Sequence, residues 1–195
     1  MAGEQTSRKP RRAISAKLTP VKKAAAAAPQ PTREQVAVWQ GLQPEQRMAV
    51  REREAVRMFG DALAHHRDGD LEEAARLYGQ ALTLNPDIPD IYINLGVALR
   101  ALGKPEASAA CYHRALALSP DNASACTNLG NVLRELGRLE AAVASHRRAV
   151  ALTPDNADAL YNLSLALRNT GQLDEALDYF AQTLAISPDH PGCHF

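Results

Sequence analysis

Aromatic residues are scarce in this 195-residue chain, at 5% of the sequence, and much of its hydrophobic 46% is Ala and Leu. That balance suits helix pairs packed at close range and argues against a thick globular core. Only three cysteines occur, Cys111, Cys126 and Cys193. An odd count with no pairing pattern excludes a disulfide framework and suits a reducing compartment, so a cytoplasmic location is expected. Cys111 and Cys126 are expected to serve as small buried apolar residues. No apolar run approaches the roughly 18 residues of a membrane span. The five alanines Ala24 to Ala28 are too short and too weakly apolar for a signal-peptide core, which argues against secretion. Gly-rich phosphate loops, a G-x-S-x-G elbow and an H-E-x-x-H helix are all missing. His65-His66 and His190-Pro-Gly-Cys193-His194 lack the paired spacing of a metal site. No catalytic residue, metal or cofactor is therefore expected. Lysine is nearly absent after Lys23, Lys104 being the exception, and 17 arginines against five lysines suit a GC-rich bacterial gene.

The charge that is present is unevenly spread. Formal net charge is zero, yet residues 1–32 hold seven basic residues (Arg8, Lys9, Arg11, Arg12, Lys17, Lys22, Lys23) against Glu4, a net of +6, which leaves −6 on the remainder. Residues 1–31 offer only Ile14, Leu18 and Val21 as branched apolars, too few to offset the entropy of ordering, so a disordered basic tail is expected. Such an arm can touch nucleic acid or acidic membrane weakly through counterion release. It lacks aromatics to stack on bases, which argues against specific nucleic-acid recognition.

From residue 55 to 190 the chain repeats every 34 residues, in units 55–88, 89–122, 123–156 and 157–190. Pro86, Pro120, Pro154 and Pro188 share one column, and Gly69, Gly103, Gly137 and Gly171 share another. Leu95, Leu129 and Leu163 align, as do Gly96, Gly130 and Ser164. A fixed period of this length, punctuated by Gly and Pro, is the pattern of a helical solenoid. Residues 32–54 form a helical lead-in. Thr32 with Gln35 makes a capping box, a short helix runs through Val36, Val38, Trp39 and Leu42, and Gly41 and Pro44 punctuate. A long helix is predicted from about Glu45 to Arg67, its stripe being Met48, Val50, Val56, Phe59 and Leu63. Asp70 caps a helix over Leu71–Leu84, which Asn85-Pro86 ends, and Asp87 and Pro89 open the next arm. The last helix carries Leu173, Ala176, Leu177, Phe180, Leu184 and Ile186, followed only by a stub at 191–195. That apolar face is expected to seek a neighbour, which would make the protein a homo-oligomer through its C-terminal helix by end-to-end stacking.

These columns resemble the tetratricopeptide repeat. The second unit reads Tyr92, Leu95, Gly96, Leu99, Gly103, Ser108, Tyr112, Ala115, Pro120, and the third Cys126, Leu129, Gly130, Leu133, Gly137, Ala142, His146, Ala149, Pro154. The first unit is the most degenerate, with Met58, Asp61 and Ala62 in the aromatic, Leu and Gly places, as an end repeat facing solvent can be. The resemblance implies an all-α fold, a right-handed α-α superhelix of four helix-turn-helix repeats with an inner groove for a protein or peptide partner. Asn precedes the aligned Leu in Asn94-Leu95, Asn128-Leu129 and Asn162-Leu163. This narrower pattern is similar to the repeats of O-linked N-acetylglucosamine transferases, where such asparagines hold peptide backbones along the inner surface.

Candidate site residues follow. Asn94, Asn128 and Asn162 recur on the first helix of each unit. An amide that both donates and accepts matches a peptide backbone, which presents both groups. Thr127, Asn131 and Tyr161 are expected to shape specificity. Arg100, Arg134 and Arg168 form a second column six residues after each Asn, turned about 120° around the helix, where they can attract acidic ligands. The clamp by which some family members grip C-terminal carboxylates is incomplete here, since Gly60 fills the first unit's Asn place. A protein-interaction scaffold is the expected function. The alternative is the recognition module of a glycosyltransferase-like protein, truncated or acting beside a separate catalytic chain.

Overall fold

A computed structural model describes residues 40–193. The basic tail, the Thr32/Gln35 cap and the helix through Val36, Val38 and Trp39 lie outside the described residues. From Gln43 onward the chain forms one compact unit. Its helices are α1 (Pro44–Arg67), α2 (Leu71–Leu84), α3 (Pro89–Ala101), α4 (Pro105–Leu118), α5 (Ala123–Glu135), α6 (Leu139–Leu152), α7 (Ala157–Asn169) and α8 (Leu173–Ile186), with a short 3₁₀ turn at Pro191–Cys193. Among the described residues there is no strand.

The four glycines of the repeat column end the first helix of each unit in the left-handed region, with φ of 83°, 69°, 71° and 80°. In each case the residue after the glycine donates its N–H to a carbonyl five residues back, as Asp70 does to His65 and Arg138 to Leu133. This closes the orphan carbonyls of the helix end and turns the chain into its antiparallel partner. Helix starts use two devices. Pro lies in the first turn of α1, α3 and α4, while the side chains of Asp70, Asn122 and Asn156 accept the N–H groups of Glu73, Ala125 and Ala159. At α3 the cap position is held by Ile88 and no side chain caps it; Pro89 follows directly as the first helical residue and leaves one N–H fewer to satisfy.

Each helix packs on the next, α1 on α2 through to α7 on α8, and the first helices of successive units also touch, α1 to α3, α3 to α5 and α5 to α7. A stack in which the first helices approach one another curves toward them, so α1, α3, α5 and α7 line its inner side. Close approach rests on small residues. Ala81, Ala115 and Ala149 are fully buried. A methyl on Gly96 would stand 2.8 Å from the Tyr112 ring, and one on Gly130 only 2.6 Å from the His146 imidazole. The larger Ser164 in the fourth unit turns its hydroxyl back to the Tyr161 carbonyl at 2.6 Å.

The two ends of the stack differ. In the second to fourth units the column Ile91, Ala125, Ala159 is buried, and so are Leu129 and Leu163, whereas the first unit places Arg57 and Asp61 there, ion-paired at 2.8 Å. At the other end, Ala109 and Val143 are 4% exposed while Leu177 in the same column is 65% exposed. Leu173, Leu184 and Ile186 are exposed too, but Ala176 is buried and Phe180 packs edge-on against Tyr161. The first helix is mixed in character, since Met48, Val50 and Val56 of the expected apolar stripe are exposed beside that ion pair, whereas the C-terminal face is apolar.

Candidate functional site

Two cavities open between the inner helices. One, of about 430 Å³, has Val97, Arg100 and Ala101 of α3 on one wall, Asn128 and Glu135 of α5 on the other, and Tyr112 of α4 behind. The second, of about 300 Å³, lies between α5 and α7 and is lined by Ser124, Thr127, Asn128, Thr153, Asn156 and Asp158. Asn128 faces both. A carboxamide at such a junction can serve one ligand segment with its donor and another with its acceptor.

The three asparagines are not equivalent. The Asn94 amide donates to the Asp90 carbonyl of its own helix at 2.8 Å. Asn128 lines both cavities. Asn162 and Asn131 are half-buried on α7 and α5. Thr127 lines the second cavity. Tyr161 is covered on one side: the His190 ring lies 4.7 Å from it, centroid to centroid, and His190 Nε2 meets the Asp158 carboxylate at 3.1 Å. His190 stands 34 residues after Asn156 in the repeat frame, so its position was readable, but its stacking on Tyr161 was not.

The arginine column also divides. Arg100 donates through Nε to Glu135 Oε1 at 2.9 Å and through a second bond from Nη2. That hydrogen bond holds the Glu135 carboxyl below its usual range, with the Arg100 and Arg134 charges adding to it. Arg134 is half-buried, and among the described residues no carboxylate lies within ion-pair distance of it; Arg168 is exposed. Burial raises the Tyr112 hydroxyl pKa. His146, in the place that Tyr112 holds one unit earlier, is 1% exposed, and burial followed by the Arg134 charge pushes it down to about 4. Among the described residues its Nδ1 has no hydrogen-bond partner. Burial also raises the thiols of half-buried Cys111 and buried Cys126.

Sequence reasoning missed Glu135 as the partner of Arg100, and Tyr112, Val97 and Ala101 as cavity walls. The available signal was the 35-residue step from Arg100 to Glu135, one more than the period, which sets the two on successive inner helices. A further cavity of about 400 Å³ opens between the second helices α4 and α6, with Ala144 and Arg148 at its edge. Among the described residues no three potential metal ligands cluster, and no helix is long and apolar enough to cross a membrane.

A tetratricopeptide repeat family model matches the chain in three overlapping stretches, residues 59–123, 93–156 and 127–191. No curated protein matches the sequence. Among solved structures, MamA is 27% identical, with 65% of this chain and 74% of that one covered and a TM-score of 0.63. PilF from Pseudomonas aeruginosa is 25% identical over 73% of this chain and 65% of its own, with a TM-score of 0.65. YrrB, described as a TPR protein with an unusual peptide-binding site, is 22% identical over 82% and 84% with a TM-score of 0.66, a likeness of fold alone.

Proposed function

The chain belongs to the tetratricopeptide repeat family, whose stacked repeats form extended binding surfaces, and from that premise we propose that it is an interaction scaffold holding an extended peptide or helix of a protein partner in the groove of α3, α5 and α7. The observation that carries this reading is the meeting of two cavities at Asn128. Val97 and Ala101 offer an apolar wall in the first cavity, and Ser124, Thr127 and Asn156 offer hydroxyl and amide groups in the second. Asn128 and Asn162 hold the backbone between them, Asn94 contributing its free carbonyl oxygen, while Thr127, Asn131 and Tyr161 set the side-chain preference. Each neutral hydrogen bond contributes about 0.5–1.5 kcal/mol net, so three asparagines give modest affinity and the flanking positions supply selectivity.

The test is affinity capture with wild type beside the Asn94→Ala, Asn128→Ala, Asn162→Ala triple variant, once the variant shows unchanged helicity and melting. A partner retained by wild type and lost by the variant is the expected result. Equal capture by both would remove the asparagines from the site.

A second reading, self-association, has the exposed Leu177 and Leu184 of α8 in its favour. Joining α8 to the α1 end of another copy would bury the Arg57–Asp61 pair against leucines at a desolvation cost. A constant monomer mass in light scattering at rising concentration contradicts it. The transferase-module alternative rests on the asparagine column alone.

A further inference from the structure

The bond between Arg100 and Glu135 marks where a carboxylate sits in this groove. Arg100 is the last turn of α3 and Glu135 the last residue of α5, so an arginine of one unit reaches a carboxylate on the next inner helix. One period on, Arg134 occupies on α5 the place of Arg100 on α3, but the position corresponding to Glu135 is Asn169 at the end of α7. Glu135, the chain neighbour of Arg134, is committed to Arg100. Arg134 is half-buried, and no ion pair compensates it among the described residues. A partly desolvated guanidinium gains more from a charge-assisted, two-pronged hydrogen bond than an exposed one does. The neighbouring His146 is buried, its Nδ1 has no hydrogen-bond partner among the described residues, and its low pKa leaves Arg134 as the cation of this spot near neutral pH.

We propose that Arg134 and the Asn169 amide form a carboxylate-binding site in the groove, taking an aspartate or glutamate side chain of the bound peptide in the place that Glu135 takes at Arg100. The assignment rests on the groove reading above. An internal side chain is favoured over a chain terminus because the inner helices continue on both sides of α5, so a peptide lying across Arg134 runs past it. Arg100 is already occupied by Glu135. Arg168 is exposed and gains less from pairing.

The repeat itself supplies the variants. Asn169→Glu places a carboxylate beside Arg134 as Glu135 stands beside Arg100, closing the site while keeping Arg134. Glu135→Asn opens the equivalent place at Arg100. Both positions are exposed, and unchanged helicity is checked first. The arginine Nε–H signals of the full chain are followed by NMR during titration with two probes: acetyl-Ala-Glu-Ala-amide, which carries only a side-chain carboxylate, and acetyl-Ala-Gln-Ala, which carries only a terminal one. The expected result is a saturable shift of Arg134 with the first probe, weakened at least tenfold in Asn169→Glu and joined by a shift of Arg100 in Glu135→Asn. An Arg134 signal that stays still, that responds equally in Asn169→Glu, or that answers only the terminal carboxylate overturns the proposal. A silent Arg134 together with capture lost in the asparagine triple variant would leave the groove reading standing and remove the carboxylate site. A responding Arg134 with capture unaffected would do the reverse.

Discussion

Acidification from pH 7 to pH 4 will cost this protein about 3 kcal/mol more stability than it costs the His146→Tyr variant. The imidazole is buried in the aromatic place of the third unit, pressed against Gly130, and its pKa is lowered from 6.5 to about 4, first by burial and then by Arg134. In the unfolded chain it takes up a proton near 6.5, whereas the folded chain resists until about 4. The contribution of the neutral ring is fully present above about 6.5 and is lost as pH falls toward 4, because there the unfolded state binds more protons. At about 1.4 kcal/mol per tenfold change in acidity the interval corresponds to the figure given. Tyr suits the place because Gly96 already accepts Tyr112 in the preceding unit. The carboxylates held low by arginine partners, Glu54, Glu73 and Glu135, are common to both chains and cancel in the difference. Urea denaturation of the two proteins at both pH values measures it. An equal loss in both would mean that His146 titrates as freely in the fold as in the unfolded chain.

Leu163→Ala should cost about 2–5 kcal/mol, the range for emptying a buried leucine site. Leu163 is fully buried and packs with Val143, Ala166, Leu167 and Ala176, which joins α7 to both α6 and α8. In a solenoid each unit touches only its neighbours, so damage should be local. Hydrogen exchange should quicken in α7 and α8 and stay slow in α2 and α3. A loss below about 1 kcal/mol, or exchange that rises evenly along the chain, would contradict this packing account.

Much of the fold was legible because its determinants are local. Gly69, Gly103, Gly137 and Gly171 each end a helix with positive φ, and that requirement is written in the residue itself. The α2 span from Leu71 to Leu84 and its Asp70 cap follow from the same turn chemistry. Pro89 opens α3 as its first residue, with Ile88 at the boundary. The site was less legible. Placing Asn128 on the first helix of its unit needed only the period, but its position between two cavities depends on which side chains α3 and α7 bring near it. The repeat gave the three arginines equal standing, and one residue outside the column, Glu135, separates them. The neutral state of His146 is a consequence of burial by neighbours from other helices, which spacing alone does not reveal.

The central claim is that a partner lies along the inner helices, and site-specific photo-crosslinking in the source cells tests it most directly. A benzophenone amino acid at Thr127, which lines the inner cavity, is compared with one at Ala144, which is exposed on the side of the second helices. The account predicts a cross-linked protein at Thr127, absent at Ala144 and lost when Asn128 is also changed to alanine. A cross-link that forms at Ala144 and not at Thr127 would place the partner on the outer surface and contradict the groove.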